Sequence, residues 1–325
     1  MTRVHTKAEV TAMGHVALVA GGDSAEREIS LKGAKAVAGA LERLGVHYSL
    51  VDGPRRLLEQ VEAGHFDRVF NLLHGRGGED GALQGALRLY GIPMTGSGVL
   101  ASALTMSKVQ TKRIWQAVGL PTPSYQICKK AEWLADDQAK AIANQDAQAL
   151  IDAVGLPMFV KPNREGSSLG MSRVMDAQDI GPALIKAFEF DDEVLVEQLI
   201  EGRELTAGVI GTDVLPLIEL KTPNEFYDFD AKYAAGTTEY LCPAPIDQEL
   251  AESSSALCWR AFDVVGARGW GRVDLMLDQN NAPWLLEVNT TPGMTESSLL
   301  PKAALASGMD FEELVWQILS QAQIA

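Results

Sequence analysis

At 325 residues, with 46% hydrophobic and 22% charged side chains, the chain has the make-up of a soluble globular protein and length for roughly two or three domains. A net charge of −15 argues against nucleic acid or an anionic membrane as partner, since both repel an acidic surface. The 3 cysteines, Cys128, Cys242 and Cys258, are widely spaced with no CxxC pair, so neither a disulfide framework nor a zinc site is expected, and a reducing cytoplasm is the expected location.

The opening stretch MTRVHTKAEVTAMG has no apolar leader core and reads as a loose extension, and no later run approaches a membrane span. HVALVAGG is an apolar strand ending in glycine, with Asp23 or Ser24 as the cap of a helix that runs to about Leu44. That helix carries Ile29, Val37, Leu41 and Leu44 on one face. VHYSLV, RVFNLLHG and IPMTG continue the strand series, with DGALQGALRLYG as a helix between the last two. Alternating strands and helices predict a doubly wound parallel sheet whose ligands sit beyond the carboxyl ends of the strands, where GGDSAERE and LHGRGGEDG lie. AGGDSAER lacks GxGxxG, so a dinucleotide fingerprint is absent.

Gly96-Ser97-Gly98 marks a boundary. Helical segments run from there through Trp115, and GLPTPSYQIC turns into a strand. Residues 131–150 are rich in Ala, Gln and Asp and read as a solvated helical surface. GLPMFVK leads to a strand ending at Lys161, and DEVLVEQLI is a strong strand expected to cross into a third region. There, RVDLMLD and APWLLEVN alternate around a QNN turn, and a helix near FEELVWQILS closes the chain.

Two stretches carry chemistry. In the 272–289 hairpin, alternation places Val273, Leu275 and Leu277 on one face, against Trp284, Leu286 and Val288. Arg272, Asp274, Glu287 and Asn289 fall on the other. Opposed like charges destabilise a sheet unless a cation intervenes, and two carboxylates with an amide suit Mg²⁺ beside phosphates. The same pattern also suits a hairpin whose polar face merely meets water. The second stretch, KPNREGSSLG, places a lysine at a strand end, ahead of a glycine and two hydroxyls. A lysine there can neutralise phosphates, with Gly166, Ser167 and Ser168 offering donors. An ordinary turn has the same composition.

A lysine-first glycine loop followed by a D…E-x-N hairpin resembles the ATP-grasp superfamily. GGDSAEREIS, LHGRGGEDGALQG, TGSG, KPNREGSSLGMS, FYDFDAKY, GWGRVDLMLD and LLEVNTTPGMTESSLLP, in that order, resemble the successive signatures of the D-alanine–D-alanine ligase family from about residue 15 to the end. The resemblance implies an N-terminal α/β domain (1–97) binding the first D-alanine. A central ATP-grasp domain (98–196) with the phosphate loop and a C-terminal one (197–325) with the metal and second-substrate sites would clamp ATP. It further implies two Mg²⁺ ions, or Mn²⁺, and a cytoplasmic homodimer that uses D-alanine and ATP for cell-wall precursor synthesis. A D-alanine–D-lactate ligase, or another ATP-grasp carboxylate–amine ligase, is the alternative. A nucleotide-sensing binder without turnover would be expected to have lost one of Arg272, Asp274, Glu287 and Asn289.

Carried over by motif, Glu26 would hold the first ammonium, with His74 beside it, and Ser167 and Tyr233 would link to Glu26 as a latch. Lys108, Lys161 and Lys232 would meet phosphates, together with Ser167 and Ser168. Backbone groups of Glu197, Gln198, Leu199 and Ile200 would meet adenine, and Glu204 the ribose; many relatives carry lysine where Gln198 stands. Asp274, Glu287 and Asn289 would hold the metal ions. Arg272 and the N–H of Gly293 would face the developing oxyanion, and Ser298 and Leu299 the second carboxylate.

Overall fold

The structure, a computed structural model, describes residues 5–133, 144–222 and 238–324. It begins with α1 (Lys7–Thr11), where a loose extension was expected. Thr6 and Glu9 cap this helix reciprocally, and His5 stacks on Trp316 with ring centroids 3.8 Å apart, so the segment is tied to the far end of the chain.

The strands β1 (Val16–Ala20), β2 (Tyr48–Asp52) and β3 (Arg68–Asn71) form a parallel sheet in the order β2-β1-β3. The expected fourth strand shrinks to Met94, which bridges Val69 on one side and Gln323 on the other. Helices α2 (Arg27–Leu44), α3 (Pro54–Glu62) and α4 (Ala82–Leu89) surround the sheet. Neither Asp23 nor Ser24 caps α2, which starts after Glu26 because Gly21 and Gly22 adopt left-handed backbone and Ser24 closes a turn onto Arg27. That turn sets Glu26 at the head of the helix, at the mouth of the cleft described below.

Helices α5 (Val99–Met106) and α6 (Lys108–Ala117) lead into an antiparallel sheet ordered β4-β7-β5-β6. Its strands are β4 (Tyr125–Lys129), β5 (Met158–Pro162), β6 (Ser172–Val174) and β7 (Glu193–Gln198). DEVLVEQLI therefore lies inside this sheet, between β4 and β5, where both neighbours satisfy its backbone. The helices here are α7 (Lys130–Trp133), α8 (Asn144–Val154) and α9 (Ile180–Phe188). Within the 131–150 stretch expected to be a solvated surface, Ala131, Glu132, Gln148 and Ala149 are exposed and Leu150 is buried, while 134–143 lie outside the described residues.

The second antiparallel sheet runs β11-β10-β8-β12-β13, with β9 paired to β8. It contains β8 (Gly202–Ile210), β9 (Asp213–Val214), β10 (Ile218–Lys221), β11 (Glu239–Leu241), β12 (Trp270–Asp278) and β13 (Pro283–Asn289). Helix α10 (Gln248–Val264) covers one face, where Cys258, Ala261 and Phe262 meet Leu205, Val273 and Leu275. The expected hairpin is present, with a register shift between Asp274 and Leu275. This bulge gives β13 one extra residue, so Leu285 and Val288, rather than Trp284 and Leu286, join Val273, Leu275 and Leu277 in the core.

Helices α11 (Leu299–Ala306) and α12 (Phe311–Ser320) return to the N-terminal region. Leu299, Leu314 and Ile318 share a core with Leu18, Val37 and Leu41, which fixes the 290–298 loop beside α2. Gly33 on α2 faces this loop, and a Cβ added there would make ordinary contact, 3.6 Å, with the Met294 backbone nitrogen.

Trp115 of α6 joins these regions. It is fully buried and its Nε1 donates to the Ala261 carbonyl at 3.0 Å. Trp115→Ala should cost about 3–5 kcal/mol in denaturant unfolding. A loss under about 1 kcal/mol would show that the contact between α6 and α10 is dispensable.

Candidate active site between the two antiparallel sheets

A cleft of about 570 Å³ opens between the two antiparallel sheets. Phe159 and Lys161 line it from one sheet, Glu204, Asp274, Met276 and Glu287 from the other, and residues 197–203 form its hinge. The bulge in β13 adds Leu286 to the same wall as Met276, giving a polar and an apolar part to one cleft.

Register explains the polar part. Arg272 faces Asn289 and Asp274 faces Glu287 across the hairpin, while Thr206 and Glu204 pair with Asp274 and Met276 from β8. Asp274 is buried and fully engaged. Arg272 grips it at 2.8 and 2.7 Å, the Asn289 amide donates at 3.0 Å, and the Thr206 hydroxyl donates at 2.6 Å. Glu287 faces the Lys108 ammonium at 3.3 Å. Cations and donors thus already balance the opposed acids that the hairpin pattern predicted. Among the described residues, no three His, Cys, Asp or Glu side chains gather into a metal cage. Two carboxylates and an amide are a donor set that suits Mg²⁺ when a nucleotide supplies further oxygens, so the residues fit such an ion.

The loop after β5 closes one end. Ser167 and Ser168 hold left-handed backbone (φ 49° and 60°), a conformation costly to non-glycine residues. Ser167 donates to the Glu26 carboxylate in a short hydrogen bond, Arg76 pairs with Glu165 at 3.1 Å, and Lys108 donates to the Glu165 carbonyl at 2.7 Å. These contacts join the N-terminal region, the loop and α6. A small cavity of about 50 Å³ remains among Glu26, Glu79, Lys108, Gly166, Glu287 and Asn289.

Glu79 lines that cavity, and His74, the neighbour of its Gly75, is buried. Burial holds the His74 imidazole below its usual range, against the pull of Glu26 and the Thr291 backbone. Glu79 accepts N–H groups from Gly75 at 2.7 Å and Thr291 at 3.0 Å. Burial, aided by the Glu26 charge, still pushes its carboxyl up to about 8.

At the other end, Lys161 meets Glu197 at 2.5 Å, and Lys112 meets the second Glu197 oxygen at 2.7 Å. Burial alone would raise Glu197, but Lys112 and Lys161 outweigh it and hold the carboxyl at about 2. Burial draws Lys112 below the ordinary lysine range, and Glu197 carries Lys161 above it.

The hinge is partly spoken for. The Gln198 N–H donates to Ser124 and the Leu199 N–H to Pro157. Beside the 290–298 loop, Ser298 heads α11, and its hydroxyl lies 2.8 Å from that of Thr295 and 3.1 Å from where a Gly293 Cβ would stand.

Comparison with known proteins gives the family. Residues 52–97 match the family model described as D-ala D-ala ligase N-terminus, and residues 114–320 match D-ala D-ala ligase C-terminus. A D-alanine--D-alanine ligase of Methylococcus capsulatus is 49% identical over 311 residues, 96% of either chain. The chain belongs to the D-alanine–D-alanine ligase family. A ligase of that name from Pseudomonas putida is 46% identical over 320 residues, covering 98% of this chain and 96% of its own. Among solved structures, a Bacillus anthracis D-alanine--D-alanine ligase superimposes with a TM-score of 0.81 at 31% identity, covering 94% of this chain and 96% of its own. The same enzyme complexed with ATP gives a TM-score of 0.78 at 30% identity, with the same coverage. The α/β and ATP-grasp architecture expected from the motifs is the one observed.

Of the residues carried over from the family motifs, the cleft and its small neighbouring cavity gather Glu26, Lys108, Lys161, Ser168, Glu197, Gln198, Leu199, Ile200, Glu204, Asp274, Glu287 and Asn289. Ser167 reaches Glu26, and Arg272 reaches Asp274. Leu299 is buried in the N-terminal core, with Ser298 before it at the head of α11. Lys232 and Tyr233 lie outside the described residues. Motif reading passed over Glu79, Lys112 and Thr206. The four-residue spacing of Lys108 and Lys112, which puts both on one face of α6, was the available signal.

The raised value of Glu79 has a sign. Folding favours its neutral form, so its contribution to stability is complete below the ordinary 4.5 and is lost as pH rises through about 8. Glu79→Gln should therefore lose less melting temperature than the unaltered chain between pH 5 and 8.5. Parallel melting curves would show that Glu79 does not titrate as its burial requires.

Proposed function

We propose that this chain uses ATP to join two molecules of D-alanine. The γ-phosphate passes to the carboxylate of the first, and the amine of the second attacks the acyl phosphate, releasing phosphate and leaving ADP and D-alanyl-D-alanine. A free carboxylate is a poor electrophile; phosphorylation supplies the leaving group. The protein's part is positioning and charge compensation. The observation that carries this reading is Asp274 opposite Glu287 on the cleft face of the hairpin, with Arg272, Lys108 and Lys161 around them.

In this reading, the base lies against Met276 and Leu286 near the 197–200 hinge, Glu204 meets the ribose, and Lys108, Lys161 and the serines of the loop meet phosphates. Asp274, Glu287 and Asn289 would hold two Mg²⁺ or Mn²⁺ ions, which when bound supply positive charge to phosphate oxygens. Glu26 receives the first ammonium, with His74 beside it. Arg272 and the Gly293 N–H stand toward the oxyanion, and Ser298 with Leu299 takes the second carboxylate. Lys232 and Tyr233 complete the phosphate site and the Glu26–Ser167 latch. A three-domain division is supported by the three successive sheets, with the second boundary moved from 196 to beyond Gln198, because β7 runs through that position and belongs to the central sheet. A cytoplasmic homodimer making a cell-wall precursor completes the proposal; among the described residues no helix is long and apolar enough to cross a membrane.

The test is phosphate release from ATP and Mg²⁺ with D-alanine, L-alanine, and D-alanine plus D-lactate. D-Alanine alone should drive release and L-alanine should not; no D-alanine-dependent release contradicts the proposal, and a depsipeptide product with D-lactate would favour the alternative ligase. Glu287→Gln should lower kcat by at least about a thousandfold with the fold intact, on the scale of lost transition-state charge stabilisation. Near-unaltered turnover would remove Glu287 from the metal site. Because the attacking amine must shed a proton, the rate should climb through the alkaline range, and a flat profile from mildly acid pH upward would exclude amine attack as the pH-sensitive step.

A further inference from the structure

Lys112 has no task in the reaction just described. Its side chain is 1% exposed, an unusual place for an ammonium. It donates to the Thr122 hydroxyl at 2.6 Å, and that hydroxyl donates to the Leu285 carbonyl at 2.9 Å. Its charge partner is Glu197, 2.7 Å away and equally buried, whose other oxygen meets Lys161. Lys161 lines the cleft; Lys112 stands behind Glu197 and does not.

The charge count of this chain of three decides what reaches the cleft. With Lys112 protonated, the two lysines and one carboxylate sum to +1. Without Lys112, Glu197 would cancel the charge of Lys161, in a cleft whose other lining residues include Glu204, Asp274 and Glu287, at the place where a triphosphate needs a cation. A hydrogen-bonding role alone would need no ion: a neutral donor could satisfy both Thr122 and Glu197. Burying an ammonium forfeits its hydration, which Glu197 and the Thr122 hydroxyl offset only in part.

We propose that Lys112 is a positioning residue for the triphosphate, a buried counter-charge that neutralises Glu197 so that the charge of Lys161 is left for phosphate. The proposal rests on the ATP reading of the cleft. It also separates the two ends of the nucleotide, because a charge effect acts on the phosphates and hardly at all on the nucleoside.

The experiment is calorimetric titration of the full chain with ATP and with adenosine, both in Mg²⁺, with melting curves to check folding. The unaltered chain should bind ATP more tightly than adenosine; no preference would overturn the nucleotide reading itself. Lys112→Gln keeps a donor for Glu197 but removes the charge. It should weaken ATP binding by about tenfold or more while changing adenosine binding less than about twofold. Equal losses for both ligands would mean that Lys112 merely supports the fold, and unchanged ATP binding would remove its role altogether. The double substitution Lys112→Met with Glu197→Gln removes both buried charges and restores the sum of +1. It should return the ATP-to-adenosine ratio to within about threefold of the unaltered chain. A double variant as depressed as the single one would contradict the charge account.

Discussion

Two acids sit opposite each other on neighbouring strands, and the architecture around the cleft follows from holding them there. Asp274 and Glu287 face one another because the hairpin keeps strict register up to that pair and breaks it one residue later. Unrelieved, that pairing would cost stability. Arg272, Asn289 and Thr206 relieve one acid and Lys108 the other. Divalent ions and phosphates would enter by exchanging partners within this set, the kind of prepared charge distribution that phosphoryl transfer relies on.

The same economy runs through α6. Lys108 and Lys112, one helical turn apart, serve opposite ends of the cleft: Lys108 meets the loop and Glu287, and Lys112 meets Glu197 behind Lys161. Trp115, one turn further, anchors the helix to α10. The helix therefore couples the loop after β5, the Asp274–Glu287 face of the hairpin and the 197–200 segment through side chains on one stripe. The returning helices α11 and α12 do the equivalent for the 290–298 loop, by sharing a core with α2, which starts immediately after Glu26.

Much of this was legible in the residues. The N-terminal alternation of apolar strands and amphipathic helices has a strong period, and the parallel sheet follows it. The hairpin pattern located Asp274 and Glu287 as neighbours. Its apolar face was misread beyond the bulge, because a bulge adds a residue without any change in composition and swaps Leu285 for Leu286 in the core. GRELTAGVI and IELK escaped as strands: their mixed polar and apolar residues show no clean alternation, and tertiary pairing decides them. Family motifs found residues that line the cleft, such as Lys161, and missed those behind them, such as Lys112 and Thr206. A lysine inside a helix looks the same in sequence whether its ammonium meets water or a buried carboxylate.

The proposed nucleotide lies between the two antiparallel sheets with its phosphates over the Asp274–Glu287 pair. A crystal grown with ADP and Mg²⁺ should show the base against Met276 and Leu286, the phosphates beside Lys161, and density for a cation within coordination distance of Asp274 and Glu287. Phosphates bound elsewhere, or both carboxylates still locked to Arg272 and Lys108 with nucleotide in place, would contradict that placement.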